Sequence, residues 1–298
     1  MDGVLLVDKP SGPTSHDVVA RIRSVARERS VGHTGTLDPR ATGLLPLVLG
    51  KATRLASVLT GGDKTYDALI RLGISTSTDD GDGIVTAEFT GPLPDATQVD
   101  QALTAFRGTF DQTPPVHSAK RIGGEKAYDL ARRDEPVVLK PVTVTVRSLV
   151  RHAYEAETVR LELTVTSGFY VRALARDLGQ ALGCGAHLDA LRRTRVGRFD
   201  VAQALPLADA ERLGADVQAH LLSPADALAD LPSVTVTELG LKRAVHGNPL
   251  GPEHLEMRCV PPAGLTASGR VRVLGPDGRL IALAHSRGGL LHPAVVLG

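Results

Sequence analysis

Apolar positions dominate the first stretch of the chain: Gly3 to Val7 is a short uninterrupted apolar run, closed by Lys9-Pro10-Ser11-Gly12-Pro13. That pattern predicts a buried strand running into a stiff loop. Val18, Val19, Ile22 and Val25 then recur at helical spacing behind a cap at Thr14 or Ser15, with Asp17 near the positive end of the dipole. Arg21, Arg23, Arg27 and Arg29 fall on the opposite, solvated face. Residues 32–43 hold three glycines and a proline without periodicity, which predicts an ordered loop. Leu44 to Leu59 is apolar enough for a buried helix or strand. Tyr66, Ala68, Ile70 and Leu72 alternate with more polar neighbours as in a strand, and Ser75 to Gly83 is a polar, acidic loop.

A helix starting at Asp95 or Thr97 buries Val99, Leu103 and Phe106 and ends at Gly108. From Thr113 to Pro141 charge and chain breakers surround a short helical patch near Glu125 to Arg133, the pattern of a surface excursion. Val142 to Val150 and Val159 to Val165 alternate as strands, and a helix follows whose stripe is Val171, Leu174, Leu178 and Leu182. Arg172 and Arg176 fall on its other face. A hinge of short helical pieces is expected over 205–232, and Val271 to Leu274, Leu280 to Ala284 and Ala294 to Leu297 are short strands of a small terminal module. The sum is an α+β chain of two domains.

Composition narrows the classes. At 298 residues with 42% apolar and 22% charged residues, this is the make-up of an ordinary globular protein without a membrane-length apolar run. The start has neither a basic n-region nor a long apolar h-region, and the two cysteines, Cys184 and Cys259, are far apart, so a cytoplasmic protein with reduced thiols is expected. Scattered histidines and two isolated cysteines assemble no metal site. A net charge of +1 offers no global attraction for a polyanion, so a nucleic-acid partner must be met by local patches. Gly43 to Gly50-Lys51 has the wrong spacing for a phosphate loop, and Ala52 stands where Ser or Thr would hold magnesium.

The loop Gly32-His-Thr-Gly-Thr-Leu-Asp-Pro-Arg-Ala-Thr-Gly43 is different in kind. Pro39 biases Asp38 towards an extended backbone and the glycines permit turns closed to other residues, so the Asp38 carboxylate is presented on a rigid turn. Such a turn suits a reacting carboxylate, and equally an Asp-Pro turn that caps its own backbone.

Around this loop stand Val4-Leu-Leu-Val-Asp-Lys-Pro10, Lys64-Thr-Tyr66, Ser77-Thr-Asp-Asp80 with Asp82-Gly83, Pro114-Pro-Val-His-Ser-Ala119, Ser167-Gly-Phe-Tyr-Val-Arg172, Leu182-Gly-Cys-Gly-Ala-His-Leu188 and Leu191-Arg-Arg193. In these motifs, in their order and over about two-thirds of its length, the chain resembles the TruB family of tRNA pseudouridine synthases.

The resemblance implies a pseudouridine synthase fold, a mixed or antiparallel central sheet flanked by helices. Residues 1–230 would form the catalytic domain, 113–141 a thumb that clamps RNA, and 231–298 a small β-rich PUA-like domain. The implied activity converts the T-loop uridine of tRNA (position 55) into pseudouridine, without cofactor or metal. Asp38 is implied as the essential carboxylate, Arg172 as its arginine with Asp80 as that arginine's acidic partner, and Tyr66 as the ring that stacks on the flipped base. Tyr170 and Leu191 match pocket-lining positions, and His33 matches a histidine that enters the stacked loop of the RNA. Lys9 is either a lysine under the nucleophile loop or an ordinary loop charge. Arg192, Arg193, Arg195 and Arg198, with Arg121, Lys126, Arg132 and Arg133 on the excursion, are expected to meet phosphates. The expected partner is the tRNA T-stem-loop, with no guide RNA and no membrane, and the chain acting as a monomer that begins directly at its first strand.

Overall fold

Both faces of the first strand are covered, which is why it is apolar at nearly every position. In a computed structural model, which describes residues 1–116, 139–155, 157–256 and 269–298 with the backbone of 121–122 and 125–126, the chain opens with β1 (Gly3–Lys9), α1 (Ser15–Val25), β2 (Val31–His33) and β3 (Thr42–Leu49). A 3-10 stretch, Gly50–Leu55, leads into α2 (Ala56–Thr60), β4 (Lys64–Leu72), β5 (Ile74–Thr76), β6 (Val85–Glu88), α3 (Ala96–Leu103) and β7 (Gly108–Gln112). There follow β8 (Arg121–Ile122), β9 (Glu125–Lys126), β10 (Val142–Glu155), β11 (Thr158–Val165), α4 (Val171–Ala181), β12 (Ala186–Val196), β13 (Phe199–Asp200) and β14 (Leu205–Pro206). The chain ends with α5 (Leu207–Leu213), α6 (Pro224–Ala227), β15 (Ser233–Thr235), α7 (Glu238–Ala244), β16 (Arg270–Leu274), β17 (Leu280–Arg287) and β18 (Leu290–Val296).

Ten strands form the central sheet in the order β14-β1-β3-β12-β4-β11-β10-β7, with β2 on β3 and β13 on β12. The pairs β1–β14 and β3–β12 are parallel and the rest antiparallel, so the sheet is mixed, as expected. β4 lies between β11 and β12 at its centre. Lys64, Tyr66, Ala68, Ile70 and Leu72 of β4 turn to the buried face, the period-2 pattern visible in the sequence. On that face α4 buries Leu174 and Leu178 against β12 and β4, while Thr14 and Asp17 close a reciprocal capping box at the start of α1.

The opposite face is also apolar. Val4 and Leu6 of β1 and Leu44 and Val48 of β3 pack with Leu280, Leu283 and Leu297 of the C-terminal sheet, β15-β16-β17-β18. That sheet has a further core of its own around Val234, Val236, Val271, Val273 and Leu291.

Several expectations are corrected. Residues 31–33 are a strand, too short to show a period. Ser75–Gly83 is not all loop: Ile74–Thr76 pairs with Val85–Glu88 around a turn in which Asp79 adopts φ +60. The segment 205–232 is no open hinge, because Leu207, Ala210 and Val217 join the main core while Ala227 and Leu228 join the second cluster. Where a helical patch was expected, Glu125–Lys126 pairs with Arg121–Ile122. The intervening Gly123-Gly124 sequence favours a hairpin over a helix. The rest of the 113–141 excursion between 117 and 138, with Arg132, Arg133 and the side chains of Arg121 and Lys126, lies outside the described residues, as does Cys259.

The apolar seam between the two sheets is testable. Leu283 is 2% exposed, so Leu283→Ala is expected to lower unfolding stability in urea by about 2–5 kcal/mol; a loss under about 1 kcal/mol would mean the seam is not packed.

Candidate active site

The loop that carries Asp38 is held one peptide group at a time. Ser15, only 2% exposed, donates its hydroxyl to Leu37 O at 3.0 Å and accepts from Leu37 N at 2.8 Å. Ala41 N donates to Asp38 O at 3.1 Å, and Pro39 O accepts from Gly12 N at 2.9 Å. Pro39 O also accepts from Lys9 Nζ at 2.9 Å, and the same ammonium donates to Pro10 O and Pro13 O at 2.9 and 2.8 Å. Lys9 is thus the fully buried lysine under the loop. Desolvation lowers its pKa to about 8, against the opposing pull of Asp38.

Arg172 meets Asp38 with two nitrogens, Nε to Oδ2 at 2.9 Å and Nη2 to Oδ1 at 3.3 Å. This bidentate geometry orients as well as attracts. The helical period alone put Arg172 on an exposed face. The side chain is instead 8% exposed, because the turn after β5 and the Asp38 loop roof that end of α4.

Asp80, expected as the acidic partner of Arg172, stands farther off, at 3.6 Å from Nη1, while the guanidinium fork grips Asp38. Nη1 also donates to Thr78 O at 3.1 Å, and Thr78 Oγ1 holds Asp80 Oδ1 at 2.5 Å. One turn along α4, Arg176 binds Asp79 at 3.1 Å and Thr113 O at 2.9 Å. Burial pushes the Asp38 carboxyl above the usual aspartate range; Arg172 pulls it down and Asp80 pushes it up. The Asp38 side chain keeps 40% of its surface exposed, and its two guanidinium contacts oppose that rise.

Asp38, Arg172, Tyr66, Tyr170 and Leu191 line one cavity of about 250 Å³ together with Lys64 and Phe169. That is below the roughly 300–1,000 Å³ of sites for drug-sized ligands, a space for about one base. Tyr66 is 8% exposed and belongs to the core as well as to the pocket wall. Tyr170 is the N-cap residue of α4. Its N donates to Gln112 Oε1 at 2.9 Å and its O accepts from Gln112 Nε2 at 3.0 Å, so one buried amide fixes the start of the helix that presents Arg172.

Sequence reasoning missed Gln112, Ser15 and Lys64. Gln112 carries no local signal, whereas Lys64 shares the face of Tyr66 two residues on. Lys64 Nζ donates to Thr60 O and Gly62 O at 2.5 and 2.7 Å, and desolvation lowers its pKa to about 8.

His33 does not line the cavity. Its ring lies edge-on to His16 at 6.1 Å, and its Nδ1 accepts from Gly35 N at 3.3 Å. Burial lowers its pKa, so the ring is held neutral with the proton on Nε2.

Arg193 is 1% exposed and bound to carbonyls of the Asp38 loop, so it is closed to phosphate. Arg192 forks onto Asp8 at 2.7 and 3.0 Å, Arg195 pairs with Asp200 at 3.8 Å, and Arg198 donates to Asp226 O. Among the described residues no cluster of His, Cys, Asp or Glu is fit to hold a metal, and no helix is long and apolar enough to cross a membrane.

The two buried lysines set a pH dependence. Lysine takes its proton at 10.5 when solvated and at about 8 in the fold. Between those values the unfolded chain binds more protons, so stability rises with pH across that window. Urea melts from pH 7 to 10.5 should show a smaller rise in Lys9→Met than in wild type, with Lys64 supplying what remains; equal slopes would mean that Lys9 is not desolvated.

Residues 23–171 match the model of the TruB family pseudouridylate synthase N-terminal domain, and 172–229 that of the tRNA pseudouridylate synthase B C-terminal domain. The chain is 43% identical to a protein named tRNA pseudouridine synthase B from Solibacter usitatus, over 100% of both chains. It is 42% identical to the one from Thermobifida fusca, covering 99% of this chain and 98% of that one. Among solved structures, Cbf5 in a Cbf5-Nop10-Gar1 complex matches with TM-score 0.75 and 27% identity, over 99% of this chain and 85% of that chain. An H/ACA RNP bound to a substrate RNA containing 2'-deoxyuridine matches with TM-score 0.74 and 26% identity, over the same shares. With its fold matched across nearly its whole length and the sequence models meeting at Arg172, the chain belongs to the TruB family of pseudouridylate synthases.

Proposed function

We propose that this chain isomerises a uridine of tRNA to pseudouridine, the T-loop uridine at position 55. It does so as a monomer in the cytoplasm, without guide RNA. The observation that carries the reading is a base-sized cavity in which a carboxylate gripped by two guanidinium nitrogens faces a buried tyrosine. Relatives at 40% identity and above are named tRNA pseudouridine synthase B, whereas Cbf5 in complex with Nop10 and Gar1 stands at 27%. That difference favours the stand-alone reaction.

The target base leaves the stacked loop, at a cost of a few kcal/mol, and enters the cavity against Tyr66, where stacking returns about 1–3 kcal/mol. His33, next to the loop that walls the cavity, fills the place left in the RNA stack. The Asp38 carboxylate acts on the nucleoside as the N1–C1′ bond breaks. The freed uracil turns within the walls formed by Tyr66, Tyr170 and Leu191, and C5 bonds to C1′. The C5 proton then departs while N1 gains one. Nothing is oxidised or reduced and no group is transferred from outside, so the reaction calls for no cofactor.

Arg172 keeps Asp38 ionised and aimed. Asp80, through its contact with Arg172 and its hydrogen bond from Thr78, keeps the guanidinium in place, and Lys9 supports the loop from below. Residues 1–230 serve as the catalytic unit and 231–298 as a PUA-like RNA-binding module.

The pure protein, given an unmodified tRNA transcript tritiated at uracil C5, is expected to release tritium without guide RNA or cofactor; no release overturns the reading. Asp38→Asn should abolish release and leave tRNA affinity within a few fold, since phosphate and shape contacts lie elsewhere. Arg172→Lys, which keeps the charge and loses the fork, should slow the reaction on the order of a hundredfold. Equal losses of rate and affinity in both variants would mean that the loop only holds structure.

A further inference from the structure

Arg193 sits where three strands meet beside the cavity. Its backbone lies opposite Tyr66 of β4 on one side and Gly43 of β3 on the other. The approach at Gly43 is so close that a Cβ there, at φ +99, would lie 2.2 Å from Arg193 O. The Arg193 side chain donates Nη2 to Gly35 O at 3.1 Å, Nη1 to Thr36 O at 3.3 Å and Nε to Leu44 O at 2.8 Å. These carbonyls fall before and after Asp38, so one planar group ties both limbs of its loop.

Among the described residues no carboxylate forms an ion pair with Arg193. A buried cation without an anion is a costly way to fill space, and its hydrogen bonds to three carbonyls must offset that desolvation. What the guanidinium adds is a rigid fork of donors matched to three fixed acceptors. Building on the function proposed above, we infer that Arg193 is a positioning residue for the isomerisation. It locks the two limbs of the Asp38 loop to the strand that faces Tyr66, so that carboxylate and base meet at reacting distance.

Arg193→Met keeps the volume and removes the fork. With enzyme in excess over C5-tritiated tRNA, release is expected to be about a hundredfold slower, the size of loss that a shift of about 1 Å produces. Filter binding should put tRNA affinity within about threefold of wild type. Arg193→Ala instead leaves a space beside the cavity that Arg193 lines, and guanidinium ion at low millimolar concentration should enter it and restore the rate of that variant by about tenfold or more. The same addition should do nothing for Asp38→Asn.

A wild-type rate in Arg193→Met overturns the inference, and so does a loss that follows affinity or, in Arg193→Ala, one that guanidinium does not relieve. Should Arg193→Met fail to fold, Arg193→Lys takes its place: release slowed about tenfold at unchanged affinity and melting temperature supports the inference, and an unchanged rate overturns it. An inactive wild type would overturn the proposed function and this inference with it, whereas an active wild type beside an equally active Arg193→Met overturns this inference alone.

Discussion

An aspartate between a leucine and a proline can be aimed only if the peptide groups on both sides of it are tied down, and nothing in residues 35–39 can do that from within. Glycine at 35 leaves the backbone free, and proline at 39 has no N–H to give. The ties come from outside: the Ser15 hydroxyl on Leu37, the Arg193 fork on Gly35 and Thr36, and Gly12 with Lys9 on Pro39. Arg172 meets the carboxylate only after the peptide is fixed, so the guanidinium–carboxylate pair is the last joint of a chain of hydrogen bonds.

Two of those ties are buried cations, and their energetics explain why the site looks unbalanced. Lys9 and Arg193 are satisfied by backbone carbonyls, whose dipoles point the right way but carry no full charge. The ammonium registers this by losing its proton more readily, down to about 8. The guanidinium lies among dipoles alone and bears that desolvation outright. Arginine thus stands where a planar fork must reach three separate carbonyls, and lysine where three carbonyls converge on one point.

What was legible in the sequence follows from the range of the interactions. β4 was visible because alternation is local, and the cap of α1 because Thr14 and Asp17 are three residues apart. β16 and β17 were visible for the same reason, whereas β15 was not expected and β18 begins four residues before the strand expected at 294–297. Arg172 was misplaced by periodicity because a helical period says which residues share a face, not what covers it. The cover here is Asp38, 134 residues away, and the turn at Thr78 to Asp80. Arg193 stood out in the Leu191-Arg-Arg193 motif as a phosphate contact, but its carbonyl partner Leu44 lies 149 residues away, and Gln112 reaches Tyr170 across 58 with nothing in its neighbourhood to mark it. The family resemblance supplied Asp38, Arg172, Asp80 and Tyr66. It did not supply the geometry, in which the fork grips Asp38 and Asp80 stands behind.

The same range argument joins the site to the far face of the sheet. β3 carries on from the Asp38 loop, and its Leu44 accepts from Arg193 through its carbonyl while its side chain enters the cluster shared with Leu280, Leu283 and Leu297. Packed interiors transmit displacement because they have little free volume to absorb it. A side chain pressed from below by the C-terminal sheet and a carbonyl held from above by a guanidinium therefore fix one residue from both sides. The small C-terminal sheet thus braces the strand on which the Asp38 loop is built.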